Sequence, residues 1–152
     1  MALKKIEIIS NEFTDDNALQ LLSSYIGKEV YSKSGELVGV VKELVVHNDK
    51  IKGIIVNGKK EFYIDKENFK LNDHEVIVLK LDPIFALIGK KVYDSEGREL
   101  GIVQELKRKS LKNEFTAMVV SKNLLYKNIT IPRKEIESFG VSVILNKKYK
   151  ND

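Results

Sequence analysis

Residues able to do chemistry are few in this chain, and they are scattered. His47 and His74 are its two imidazoles, and it has no cysteine. Both histidines stand beside Asn/Asp turn residues and form no H-x-H or H-x-x-x-H spacing, so they read as exposed turn residues rather than bases or ligands. Without thiols there is neither a disulfide framework nor a thiolate zinc site. Glu43 and Glu105 recur at matching places of a repeat and resemble a paired acid. A repeat puts one in each copy, however, so a solvated strand face or a salt bridge to a nearby lysine is the expected role. Tyr31 and Tyr93 recur in the same way. Each is expected to lay its ring on a β surface with the hydroxyl at the rim, a stacking platform for a base being the alternative. The glycines match neither G-x-G-x-x-G nor a P-loop. One cluster remains: Lys107, Arg108, Lys109 and Lys112, on a predicted hairpin loop. Four cations so close can hold an anion or an acidic partner. The loop contains no aromatic residue to stack a base, and a merely solvated loop is the competing reading. The sequence therefore predicts no enzyme, with no catalytic residue, no metal and no cofactor.

These residues sit on a framework that occurs twice. Ile26–Leu44 reads IGKEVYSKSGELVGVVKEL, and Ile88–Leu106 reads IGKKVYDSEGRELGIVQEL, about 62 positions later and in register without a gap. Ile-Gly-Lys, Val-Tyr, two spaced glycines and Val-x-Glu-Leu coincide, which argues for a duplicated fold unit of about 60 to 70 residues. Units that small bury only roughly 60% of their unfolded surface, so each is expected to pack on its twin or on another chain.

In each copy a short strand (Lys28–Tyr31, Lys90–Tyr93) leads through a turn at Gly35 or Gly97 into a long β-branched run. Gly35 is the candidate for positive φ. Gly39 and Gly101 interrupt the run, and a glycine inside a strand marks a bulge where two backbones approach. In the first copy, strands follow at Ile51–Val56, Glu61–Ile64 after an Asn57-Gly58 hairpin signal, and Glu75–Leu79. In the second they follow at Phe115–Val120, Ile129–Ile131 and Val141–Leu145. Between the last two strands of each copy one helical turn is expected, capped by Asp65 in the first and started by Pro132 in the second. Ahead of the repeat, Ile6–Ile8 is a short strand or a floppy leader, and a short helix is predicted over Asp15–Ser24. The expected layout is an N-terminal extension over 1–24, barrels over 25–82 and 83–146, and a basic, frayed tail over 147–152. The fold class is all-β, with two tandem small closed barrels.

The formal charge of +4 is uneven, about −2 over residues 1–23, zero over 24–82 and +6 over 83–152. No apolar run approaches the roughly 18 residues of a membrane span, and the first residues lack the apolar core of a secretory signal. A cytoplasmic protein without direct membrane insertion is expected.

The I-G-K-x-V-Y-(x)3-G-x-x-x-G-x-V-x-E-L pattern, carried by both halves, resembles the PRC-barrel superfamily over residues 25–80 and 87–145. A tandem chain of this kind is most similar to a group of archaeal cell-division adaptors (CdpB-like). The resemblance implies a non-enzymatic protein–protein adaptor in archaeal cell division, in the cytoplasm and recruited to the division site. Its partner would be a SepF-like membrane-tethered adaptor or another PRC-barrel protein, in a homo- or hetero-oligomer such as a dimer. The ribosome-maturation branch of the superfamily implies the alternative, a factor that binds RNA or a ribosomal protein.

Overall fold

The β-branched runs form strands in both copies. The computed structural model describes residues 9–12, 22–123 and 125–150. It divides into two compact units, Met1–Asp82 and Pro83–Asp152. The first contains β1 (Glu29–Tyr31), β2 (Leu37–His47), β3 (Lys50–Asn57), β4 (Glu61–Asp65), β5 (Phe69–Asn72) and β6 (Val76–Leu79). The second contains β7 (Lys91–Tyr93), β8 (Glu99–Lys107), β9 (Ala117–Ser121), β10 (Ile129–Pro132), β11 (Ile136–Phe139) and β12 (Val143–Leu145). The sheets have the same order, β4-β3-β2-β1-β6-β5 and β10-β9-β8-β7-β12-β11. The two units are tandem small barrels of the expected all-β class.

The repeated residues do the same work in each. Val30, Val41, Val92 and Val103 are buried to 1% exposure or less and form the corresponding parts of the two cores. Gly27 N–H donates to Val41 O and Gly89 N–H to Val103 O, both at 2.8 Å, so the first glycine of the motif starts the pairing with the long strand. Gly39 (φ +152°) and Gly101 (φ +141°) occupy backbone that L-residues rarely adopt. A Cβ there would lie 2.5 Å from Asn57 O and 2.4 Å from Ser121 O. The close approach read from the sequence is therefore real. A bulge sits beside each: Val30 faces Gly39 while Tyr31 faces Leu37, and Val92 faces Gly101 while Tyr93 faces Glu99. Gly35 has positive φ, as expected.

Several expectations need correction. The hydrogen-bond ladder does not close: β4 and β5 are the ends of one sheet, β10 and β11 of the other. A 3-10 turn carries the chain from end to end, Lys66–Asn68 in one unit and Arg133–Glu135 in the other. The strands β5 and β11, which pair with β6 and β12, were not foreseen. Asp65 stands at the N-cap without a side-chain cap bond, because its Oδ1 accepts the Tyr63 hydroxyl at 2.6 Å instead. Pro132 is extended (φ −63°, ψ 148°), so it precedes the turn rather than beginning it. The closing strand starts at Val143, and Val141 is 94% exposed in the preceding turn. Asn57-Gly58 does open a hairpin, but the loop runs over residues 58–60, and the positive φ angles fall at Asn48 and Asp49 in the tight β2–β3 turn. Of the predicted N-terminal helix, Leu22–Ser24 is one 3-10 turn. Its earlier part and the Ile6–Ile8 strand lie outside the described residues.

Candidate partner-binding surface

The predicted basic cluster lies where the two units differ most. In the first unit β2 turns into β3 through Asn48 and Asp49 alone. In the second, residues 108–116 separate β8 from β9. The longer loop is built rather than loose. Thr116 N–H donates to Lys107 O at 2.8 Å, and Asn113 Oδ1 accepts from Ile84 N–H at 2.9 Å. Ser110 Oγ accepts from Lys112 N–H and donates to Glu114 Oε1.

The four cations separate into two kinds. Lys107, Lys109 and Lys112 are exposed. Arg108 turns inward: its Nη2 donates to Lys112 O at 2.6 Å, and its guanidinium lies 5.0 Å from the centre of the Phe85 ring. Its Nε is buried without a hydrogen-bond partner. Arg108 therefore braces the loop, and the three lysines carry its outward charge.

The sequence placed Phe115 in the next strand and left the loop without an aromatic residue, but β9 starts only at Ala117, so Phe115 belongs to the loop, and the fold brings Phe85 and Phe139 alongside it. Thr116 links Lys107 to the 3-10 turn, because Arg133 N–H donates to Thr116 O at 2.9 Å. The Arg133 guanidinium sits 5.6 Å from the Phe115 centroid and 5.1 Å from that of Phe139. The two rings are 6.1 Å apart and inclined at 55°, within the range of favourable tilted aromatic pairs. Phe115 is buried and Phe139 is 43% exposed. Phe85 packs partly against the core below. The signal that could have found this group is the long loop itself, absent from the first copy, together with Phe139 at a place where that copy has no aromatic residue.

The remaining candidates fall where elementary patterning put them. His47 and His74 are exposed, at the end of β2 and in the turn before β6. Glu43 and Glu105 are exposed, each directly after a bulge on its own unit's long strand. Tyr31 is half-buried and its hydroxyl donates to Glu29. That bond, chiefly, raises its pKa above the ordinary tyrosine value. Tyr93 is half-buried in the same position. Among the described residues no three His, Cys, Asp or Glu side chains come together as metal ligands.

Two buried polar groups escaped the sequence reading. Ser32 and Asp94 are each 1% exposed, at the same place in the repeat. Ser32 Oγ accepts from Glu36 N–H at 3.1 Å, and Asp94 Oδ1 accepts from Glu96 and Arg98 N–H at 3.0 Å. Each side chain thus holds the turn that precedes the long strand. Burial works to raise the Asp94 carboxyl. The N–H groups of Arg98, Glu96 and Tyr149 and the Arg98 guanidinium outweigh it and hold the group below the usual carboxylate range.

The profile of the PRC-barrel domain family matches residues 20–82, so a PRC-barrel domain is found in the first unit. No curated protein sequence matches the chain. Among solved structures, a Pseudomonas aeruginosa chain assigned as a 16S ribosomal RNA processing protein, RimM, aligns over 84% of this chain and 80% of its own. The two are 16% identical, with a TM-score of 0.35. PRC-barrel domains are typically non-catalytic binding modules that mediate protein interactions. Among the described residues no helix is long and apolar enough to cross a membrane.

Proposed function

We propose that the protein is a non-enzymatic adaptor that docks onto a protein partner. The observation that carries this reading is the Arg133–Phe139–Phe115 group beside the basic loop. Arginine and aromatic side chains are the types enriched at energetic centres of protein interfaces. Here a half-exposed ring lies under a guanidinium. The resemblance of both halves to archaeal division adaptors supports the setting of this proposal: cytoplasmic, recruited to the division site. The partner is a SepF-like membrane-tethered adaptor or a second PRC-barrel protein, in a homo- or hetero-oligomer. The basic loop of Lys107, Arg108, Lys109 and Lys112 lies within the partner's footprint. Affinity capture of the tagged full chain from native archaeal lysate, followed by mass spectrometry, tests this. Recovery of a division protein supports it, and recovery of none removes the assignment.

A second reading, RNA or ribosomal-protein binding in ribosome maturation, draws on a different observation. Residues 83–152 carry about +6, and three exposed lysines flank the aromatic group. Binding to RNA would fall steeply with salt. Gel shifts at low ionic strength with the wild-type chain and a K107E/K109E/K112E variant decide it. Binding lost in the variant supports the reading, and no shift for the wild type ends RNA binding.

A further inference from the structure

The second unit has a cleft that the basic loop does not touch. It encloses about 610 Å³ between the start of β8, the β9–β10 connection and the C-terminal segment, a volume typical of ligand sites. Leu100, Ile129, Tyr126 and Tyr149 give it apolar surface, and Lys122, Lys127 and Lys150 stand around it. Its one carboxylate, Glu99, is already paired with Lys91 at 3.5 Å. The lining is therefore net positive.

The wall is built. The sequence predicts a frayed tail from residue 147 onward, but Tyr149 packs against the barrel core. Its hydroxyl donates to Glu135, and its N–H reaches Asp94 Oδ2 at 3.4 Å. Lys147 pairs with Glu135 at 2.8 Å on the same segment. At the mouth, Leu125 is 91% exposed and Tyr126 52%. The Lys122 ammonium sits 5.1 Å from the Tyr126 ring centre, so charge and apolar surface meet at one point.

We propose that this cleft binds a short acidic peptide, which seats one apolar side chain between Tyr126, Tyr149 and Ile129. Flanking Asp and Glu carboxylates lie on Lys122, Lys127 and Lys150. Charge complementarity chooses the occupant: cations ring an apolar centre here, whereas a nucleic-acid strand is met by cations that track a backbone past successive stacking rings. The inference rests on the adaptor reading and gives the chemistry of its partner.

The test selects a random 12-residue peptide library on the immobilised full chain and follows the winning synthetic peptide by amide NMR. The expected winners carry Leu, Ile or Phe flanked by Asp and Glu, and they shift the amides of Leu100, Tyr126, Ile129 and Tyr149. K122E/K127E should weaken binding about tenfold or more. K59E/K60E, exposed in the β3–β4 loop of the first unit, should leave it unchanged, and both variants should melt as the wild type does. No acidic enrichment, shifts confined to other residues, or stronger perturbation of the same amides by a uridine oligonucleotide overturns the proposal. Failure here with lysate capture intact in K122E/K127E removes the cleft and leaves the adaptor reading. Peptide binding with an empty lysate capture does the reverse.

Discussion

The Lys28 ammonium donates to Asn72 Oδ1 at 2.9 Å across 44 positions of chain. Lys28 is 4% exposed, and its ammonium lies 4.2 Å from the Tyr25 ring centre. Burial lowers its pKa, and Asp73 partly offsets this. The repeat predicts a counterpart, and Lys90 Nζ donates to Gly140 O. In each unit the lysine of Ile-Gly-Lys therefore fastens the far end of an end strand, β5 or β11, that has a neighbour on one side only. Lys28→Ala should cost about 1–3 kcal/mol, through the lost charge-assisted bond and the lost packing of the buried lysine stem. Urea unfolding measures this. Amide exchange should rise first in residues 69–72, and an unchanged midpoint would refute the clamp.

Gly39 and Gly35 separate two uses of glycine. Both have positive φ, but only Gly39 has backbone within reach of a Cβ. Gly35→Ala should cost about 1 kcal/mol, the ordinary cost of a left-handed L-residue. Gly39→Ala should cost more, about 2–4 kcal/mol, because strain and the 2.5 Å clash with Asn57 O add. The ratio of the two chemical-denaturation values is the check, and Gly101→Ala should behave as Gly39→Ala does.

These pairs also show what patterning could and could not deliver. A duplicated motif exposes its own constraints: glycines that recur in register implied bent strands before any coordinate did. Strand existence followed from β-branched runs. The ladder's ends did not follow, because β5 and β11 are short, mostly exposed and polar in places, and a pairing of residues 69–72 with 76–79 looks like a turn. The basic loop was legible as charge. Its two roles were not, because only the fold places Phe85 under Arg108. Phe139 was likewise invisible as a partner of Phe115, which lies 24 positions earlier.

Tyr149 converts the tail into part of the second barrel, and pH reports it. Burial, together with the bond to Glu135, raises the Tyr149 pKa well above the ordinary tyrosine value. The folded state thus favours the neutral phenol. Its contribution is complete below about pH 10, where the unfolded phenol titrates, and is lost as pH rises toward the folded value. Tyr149→Phe should lower stability by about 1 kcal/mol at pH 7 and flatten the decline above pH 10. Asp94 works at the other end. Its depressed pKa contributes stability above the unfolded value near 3.9, and that contribution is lost as pH falls through the folded value. Asp94→Asn should therefore be less stable at neutral pH and less acid-sensitive. Thermal melts from pH 2 to 11 separate the two limbs.

Arg108 and its lysine neighbours should respond oppositely to substitution. Arg108→Ala removes the bond to Lys112 O and the cover over Phe85, and should cost about 1–2 kcal/mol. It should raise amide exchange through residues 108–116 and weaken partner binding only through that loosened loop. Arg108→Lys should not restore the loop, since an ammonium cannot lie flat on the ring while donating to the same carbonyl. The K107E/K109E/K112E variant should leave the melting point within about 2 °C. It should weaken an acidic partner's on-rate severalfold, an effect that shrinks as salt rises. If Arg108→Ala instead changes binding without changing exchange, the guanidinium touches the partner directly and its bracing role is wrong.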